Sequence, residues 1–229
     1  MTAALEAVGL SKRFGGKQAL ADVSIAVAPG EFLVVVGSSG SGKTTLFRCL
    51  TRLAEPDAGE IYLDGLPMRD LRGGALANAR RDIGVVFQQF NLIRRRSALA
   101  NVLAGRLGTA PLWRVASGHF ARADIARAEN ALVAVGLGAQ GWQRADTLSG
   151  GEQQRVAIAR ALAQESRIIL ADEPVASLDP DAAVSVLLLL QSLARSRKLA
   201  VLCTLHQPQL AERFADRIVT MHGGRLVKG

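Results

Sequence analysis

Residues 37–45 read Gly37-Ser38-Ser39-Gly40-Ser41-Gly42-Lys43-Thr44-Thr45, directly after the apolar run Phe32-Leu33-Val34-Val35-Val36. That run has the β-branched composition of a buried strand, so the order is strand, glycine loop, helix. The spacing fits Gly-x-x-x-x-Gly-Lys-Thr, with Gly37 and Gly42 bracketing the loop. Glycines and small serines let backbone N–H groups approach a polyphosphate with no Cβ in the way, and the following helix turns its positive end toward the same anion. Lys43 can reach β- and γ-phosphates, and the Thr44 hydroxyl suits the Mg²⁺ that travels with a nucleotide. A flexible Gly/Ser linker could carry such a composition, but it would not need a buried-type strand in front of it. The stretch points to an α/β chain that binds a nucleoside triphosphate.

The remaining residues fall around this loop in order. Short apolar segments between Leu5 and Val36, broken at Gly15-Gly16 and Pro29-Gly30, predict several strands. Phe14 stands out because only 4% of the chain is aromatic and this ring sits beside two glycines in a polar turn. It could offer a flat face to a base or pack on the core as a loop residue. After a loop helix over about 43–53, Ile61-Tyr62-Leu63 with Asp64-Gly65 predicts a hairpin, and Ile83 to Phe87 another buried strand. Gln88 at that strand's end could contact a metal or water, or be a solvated loop residue, and alone the second is preferred. Residues 97–141 turn helical, which implies a helical subdomain packed by Trp113 and Trp142.

Ser149 and Glu152 fit a capping box that opens a periodic helix through Ala163. Capping leaves Gly150 and Gly151 unexplained; their use would be to admit a second phosphate to bare N–H groups. Arg167 to Ala171 predicts a strand delivering Asp172 and Glu173 to its carboxyl end, where ligands bind in parallel sheets. Asp172 can hold Mg²⁺ and Glu173 can polarise an attacking water. Asp179-Pro180 reads as an N-cap with proline at the first helical position, opening a helix to about Ala194. His206 follows a strand over 199–204 and would emerge on the edge of Glu173 and the phosphate loop if the strands are parallel. A final hairpin is expected to turn at Gly223-Gly224, with no additional C-terminal regulatory domain expected after it.

Two broader features narrow the function. No run nears the roughly 18 apolar residues of a membrane span, and the first residues lack a secretion signal, so a cytoplasmic chain is expected. Cys49 and Cys203 lie in apolar segments without metal-ligand spacing and read as buried thiols. The net charge of +8 invites nucleic acid or an anionic membrane surface, but no aromatic residues interleave the basic ones in the way that stacks bases. A solvated basic surface is the simpler account, including the cluster Arg94-Arg95-Arg96.

Together these motifs resemble the ATP-binding-cassette ATPases along essentially the whole chain. Residues 37–45 resemble the family's Walker A loop, Gln88 its Q-loop, residues 148–154 its signature sequence, residues 168–173 its Walker B strand, Ser177-Leu178-Asp179 its D-loop and His206 its switch histidine. The resemblance implies a P-loop NTPase core with a mixed, largely parallel sheet, an N-terminal antiparallel β subdomain and an inserted helical subdomain. The boundaries would be 1–88 and 145–229 for the core and about 89–144 for the insertion, within one domain of 1–229. It implies ATP and Mg²⁺, with Thr44, Gln88 and Asp172 at the metal. Glu173 and His206 would be catalytic, and Phe14 would stack on adenine in place of the commoner tyrosine. A head-to-tail homodimer would hold each ATP between one loop and the other subunit's Ser149-Gly150-Gly151, with Asp179 at the contact. Two membrane-spanning permease subunits and an external solute-binding protein would complete the complex at the cytoplasmic face of the inner membrane. No nucleic acid is expected.

A finer resemblance, carried by residues 171–180, by residues 101–108 and by Arg144-Ala145-Asp146, is to ATPases of phosphonate importers. An amino-acid or other small-solute importer is the runner-up. A soluble cassette acting on nucleic acid or ribosomes is the alternative from another class.

Overall fold

The structure is a computed structural model that describes residues 2–110 and 119–227. Strand β3 (Phe32–Val36) lies inside a six-stranded sheet between β8 (Ala200–Leu205) and β9 (Arg217–His222). Beyond β8 come β7 (Ile168–Asp172) and β6 (Ile83–Phe87), all parallel, while β10 (Arg225–Val227) closes the far edge antiparallel to β9. Because side chains alternate across a strand, both faces of this sheet must be covered. Phe32, Val34 and Val36 enter one apolar cluster with Ile169, Ala171, Val201 and Cys203. Leu33 and Val35 enter the other with Ile168, Leu170, Ala200 and Leu202. A strand buried on both sides reads as a continuous apolar run, which is why β3 was visible in the sequence.

The second cluster is covered by helix α1 (Lys43–Leu50) and by a four-stranded antiparallel sheet. That sheet runs in the order β2 (Lys17–Val27), β1 (Leu5–Phe14), β4 (Ala58–Leu63), β5 (Leu66–Pro67). Helix α1 stops before the expected residue 53 because Arg52 adopts a left-handed backbone. The Arg52 guanidinium reaches the carbonyls of Met68 and Leu71 and the carboxylate of Glu55. No sequence pattern announces helix α2 (Gly73–Arg81): it starts with two glycines, has no side-chain cap and buries no residue.

The first cluster is covered by helices. α3 (Ala98–Leu103) is capped by Ser97, whose hydroxyl accepts from the Ala100 N–H at 3.1 Å. α4 (Arg122–Ala134) and α5 (Gly150–Ala163) join it in one apolar body that runs from Val34 to Leu132. α6 (Pro180–Arg197) runs past Ala194 and ends at Lys198, whose left-handed backbone terminates it; α7 (Pro208–Phe214) follows β8. Among the described residues no helix is long and apolar enough to cross a membrane.

Trp142 does not pack the helical region: it is 80% exposed. The stretch that carries it is bonded through its backbone to residues 96–99, with Ala98 N–H on the Gln143 carbonyl and Leu99 N–H on the Gly141 carbonyl, both at 2.8 Å. Leu99, Leu132 and Leu137 fill the interior there. Trp113 lies outside the described residues. Both cysteines are buried, and burial raises the thiol pKa of Cys49 to about 11 and that of Cys203 well above its ordinary value. Neither is poised for thiolate chemistry.

Candidate functional site

The loop after β3 is held by close contacts that only glycine permits. A Cβ at Gly37 would stand 2.4 Å from the Met221 carbonyl oxygen, and one at Gly42 would stand 2.6 Å from that of Ala19. Gly42, with φ +113°, precedes α1 without offering a side-chain cap, and no acidic residue sits in that helix's first turn. Free N–H groups at a helix start form an anion site. The Ser41 hydroxyl is buried without a partner. The Lys43 side chain is only 4% exposed; its ammonium donates to the Gly37 carbonyl at 2.8 Å and the Ser38 carbonyl at 3.1 Å. Gly42 and Lys43 border a cavity of about 400 Å³. An uncapped helix start, an unpartnered hydroxyl and a folded-back ammonium together fit a polyphosphate.

The adjacent strand ends bring the carboxylates to the same edge. Asp172 of β7 pairs with Thr204 of β8, and Val36 of β3 pairs with Leu205, so Gly37 and His206 emerge side by side. Glu173 Oε1 lies 2.5 Å from His206 Nε2 and 3.5 Å from Lys43 Nζ. His206 Nδ1 lies 3.1 Å from the Gly37 carbonyl oxygen. The Thr204 hydroxyl donates to Asp172 Oδ1 at 2.8 Å and accepts the Glu173 backbone N–H at 2.9 Å. Thr44 is exposed and faces the cavity, along with Ser39, Gly40 and Thr45. Threonine hydroxyl and carboxylate oxygens are the donors a hard cation such as Mg²⁺ takes.

Phe14, the last residue of β1, is half exposed and borders the same cavity, so it is not a core residue. Lys12 Nζ stands 5.5 Å from its ring centroid, and Asp57 fixes that end of β1 by accepting from Lys12 Nζ and the Arg13 N–H, both at 2.7 Å. These two bonds, Lys12 first, hold the Asp57 carboxyl below the usual range.

Three expected site elements stand apart from this cavity. Gln88 is exposed and borders a separate hollow with Asn91, Gln153 and Ser177. Asp179 caps α6, its Oδ1 accepting the Ala182 N–H at 2.9 Å. Ser149 caps α5 in a complete capping box. Glu152 is held below the ordinary carboxylate range by the Ser149 N–H and then by its hydroxyl. The glycines of this box do have a reason within the chain, contrary to expectation. A Cβ at Gly151 would lie 3.0 Å from Ala182 Cβ, and one at Gly150 would lie 3.2 Å from Leu178 Cδ2. The packing of α5 on the segment that opens α6 is tight here, so a Cβ at Gly151 would push on Ala182, while one at Gly150 would meet the end of the Leu178 side chain.

Sequence reasoning missed Thr204, which looks like any strand residue, and Arg160 on α5. The Arg160 guanidinium donates to the carbonyls of Asn91 at 2.7 Å and Phe90 at 3.1 Å, both residues with left-handed backbones. Burial lowers its pKa. Asn101, wholly buried, holds the next turn by bonding both the N–H and the carbonyl of Ile93. A spacing signal exists for none of them, since each acts on a backbone group far away in sequence or in a loop.

A P-loop at the carboxyl edge of a parallel sheet, facing paired carboxylates and a histidine, defines a nucleotide-hydrolysing cassette. Residues 20–176 match the family model described as ABC transporter, and the chain belongs to this family as an ATPase. Among curated relatives, "Phosphonates import ATP-binding protein PhnC" of Burkholderia pseudomallei (strain K96243) is 48% identical over 223 residues, covering 95% of this chain and 73% of the relative. "Phosphonates import ATP-binding protein PhnC 2" of Rhodopseudomonas palustris (strain BisB18) is 49% identical, covering 96% and 81%. "Hypophosphite import ATP-binding protein HtxD" of Stutzerimonas stutzeri is 47% identical, covering 98% and 66%. Among solved structures, the dimeric bacterial cassette MJ0796 superposes with a TM-score of 0.84 at 35% identity, covering 98% of this chain and 97% of that one.

Proposed function

We propose that this chain is the ATPase of an importer for phosphonate or a related phosphorus oxyanion. The observation that carries the ATPase reading is the meeting of Lys43, Glu173 and His206 against Gly37 at one sheet edge. The solute class is supported by the relatives, whose names specify phosphonates and, in one case, hypophosphite. Residues 1–88 and 145–229 would form the nucleotide core and 89–144 the helical subdomain. The partners would be a second copy of this chain, two permease subunits and a solute-binding protein, at the cytoplasmic face of the inner membrane.

In this reading the N–H groups of the loop and the Lys43 ammonium hold the phosphates and stabilise charge developing on the transferred group. Lys43 must first leave the carbonyls of Gly37 and Ser38, which it occupies now. Glu173 accepts the proton of the attacking water once its contacts with His206 and Lys43 are released. His206 turns toward the terminal phosphate, and Phe14 stacks on the base. Mg²⁺ would be held by Thr44 and Asp172 and would neutralise phosphate charge; Gln88, which borders a separate hollow, would join them only after its loop moves in. Ser149-Gly150-Gly151, remote from the chain's own cavity, would serve the nucleotide of the second copy.

The test is uptake by the reconstituted complex, comparing a phosphonate and hypophosphite with an amino acid. Uptake of the phosphorus compounds alone is expected. ATP-driven uptake of the amino acid instead would replace the solute assignment with the runner-up.

A further inference from the structure

Thr204 is wholly buried in the centre of the sheet, directly beside Asp172 in register. Its single hydroxyl proton is committed to Asp172 Oδ1, at 2.8 Å, and one of its lone pairs takes the Glu173 N–H, at 2.9 Å. Glu173 itself has φ +49°, a left-handed backbone uncommon for a residue with a side chain. Such a backbone persists only where its surroundings hold it. The one described partner of the Glu173 N–H is Thr204.

We propose that Thr204 is a positioning residue for hydrolysis, setting both carboxylates at once. Its donated bond fixes the plane of the Asp172 carboxyl. Its accepted bond pins the backbone turn that aims the Glu173 side chain at Lys43 and His206. The inference rests on the reading of Asp172 and Glu173 given above. Valine would fill nearly the same space but would leave Asp172 Oδ1 and the Glu173 N–H without their partner. Serine would keep both bonds and remove only a methyl group.

The test compares Thr204→Val, Thr204→Ser and Thr204→Cys with Glu173→Gln as reference. Thr204→Val should lower kcat on the order of ten- to a hundredfold while KM for ATP moves less than about threefold. Thr204→Ser should return kcat to within about threefold of the parent, and Thr204→Cys, a weak donor, should fall between. A readout independent of turnover is the Glu173 amide resonance in the metal-free, nucleotide-free protein. It should shift in Thr204→Val and stay in place in Thr204→Ser. ATP affinity measured in EDTA should be unchanged in all three. If Thr204→Val does not fold, the serine and cysteine variants decide, and equal kcat in those two overturns the proposal. Normal turnover in Thr204→Val with a stalled Glu173→Gln also overturns it and leaves the site reading intact. Normal turnover in Glu173→Gln removes both.

Discussion

The imidazole of His206 bridges Glu173 and the phosphate loop, with Nε2 2.5 Å from Glu173 Oε1 and Nδ1 3.1 Å from the Gly37 carbonyl oxygen. Both neighbours are oxygen atoms, so the ring ties the carboxyl to the loop backbone. Glu173 Oε1 is thus shared between His206 and Lys43 Nζ, 3.5 Å away, so in the proposed reaction a water would compete with both for this oxygen.

Replacing Glu173 by Gln would remove the proposed base and leave the proposed phosphate contacts of the loop and Lys43 in place. ATP affinity should change less than about threefold, while turnover falls by about a hundredfold or more. The variant should also run as a dimer in ATP on size-exclusion chromatography. Parent-like turnover would sink the assignment.

Lys43→Ala deletes the ammonium that bonds two loop carbonyls. Hydrogen bonds to charged groups contribute about 1.5–3 kcal/mol. ATP titration should show Kd raised roughly ten- to a hundredfold, and an unchanged Kd would contradict the site.

Gly151→Ala separates packing from ligand approach. Its Cβ would meet Ala182 Cβ at 3.0 Å, and overpacking costs about 1–3 kcal/mol, partly offset by the higher helix propensity of alanine. Denaturant unfolding should show a net loss of about 1 kcal/mol. Full stability with loss of the ATP-induced dimer would mean that the glycine serves only the second copy.

The capping box makes part of the stability acid-sensitive. Glu152 has a folded-state pKa below its ordinary value of 4.5. Its contribution is therefore present above that value and is lost as pH falls through the lower folded-state one. Glu152→Gln keeps an acceptor for the cap but does not titrate. The stability gap between parent and variant should be constant from pH 7 to 5.5 and should shift, to the parent's disadvantage, on further acidification. A gap independent of pH down to 3 would show that the box does not titrate.

Trp142 is exposed, so Trp142→Ser should move the unfolding free energy by less than about 0.5 kcal/mol. A larger loss in thermal or urea unfolding would mean that the ring is covered in solution.

The parts of this molecule legible in its sequence are those whose signal is local. β3, β6 and the start of α5 carry an apolar run or a capping pattern within a few residues, and the structure reproduces their limits. The phosphate loop was legible because chemistry demands its residue types in a row. α2 was not, since it buries nothing and its glycines argue against a helix. Trp142 was misread because an aromatic residue beside helices suggests a core, whereas backbone pairing with residues 96–99 turns it outward. Thr204 and Arg160 were invisible because their meaning lies in what stands across the sheet or loop from them, 32 and about 70 positions away.

Arg160 has a mechanical consequence. Its guanidinium ties the turn after Gln88 to the last turn of α5 through two carbonyls, so displacing the turn means breaking those bonds or carrying the helix along. If Gln88 and Ser149 serve as proposed, this one side chain is the crank pin between them: a shift of the turn would reach the opposite end of α5, where Ser149 sits, by way of the helix backbone.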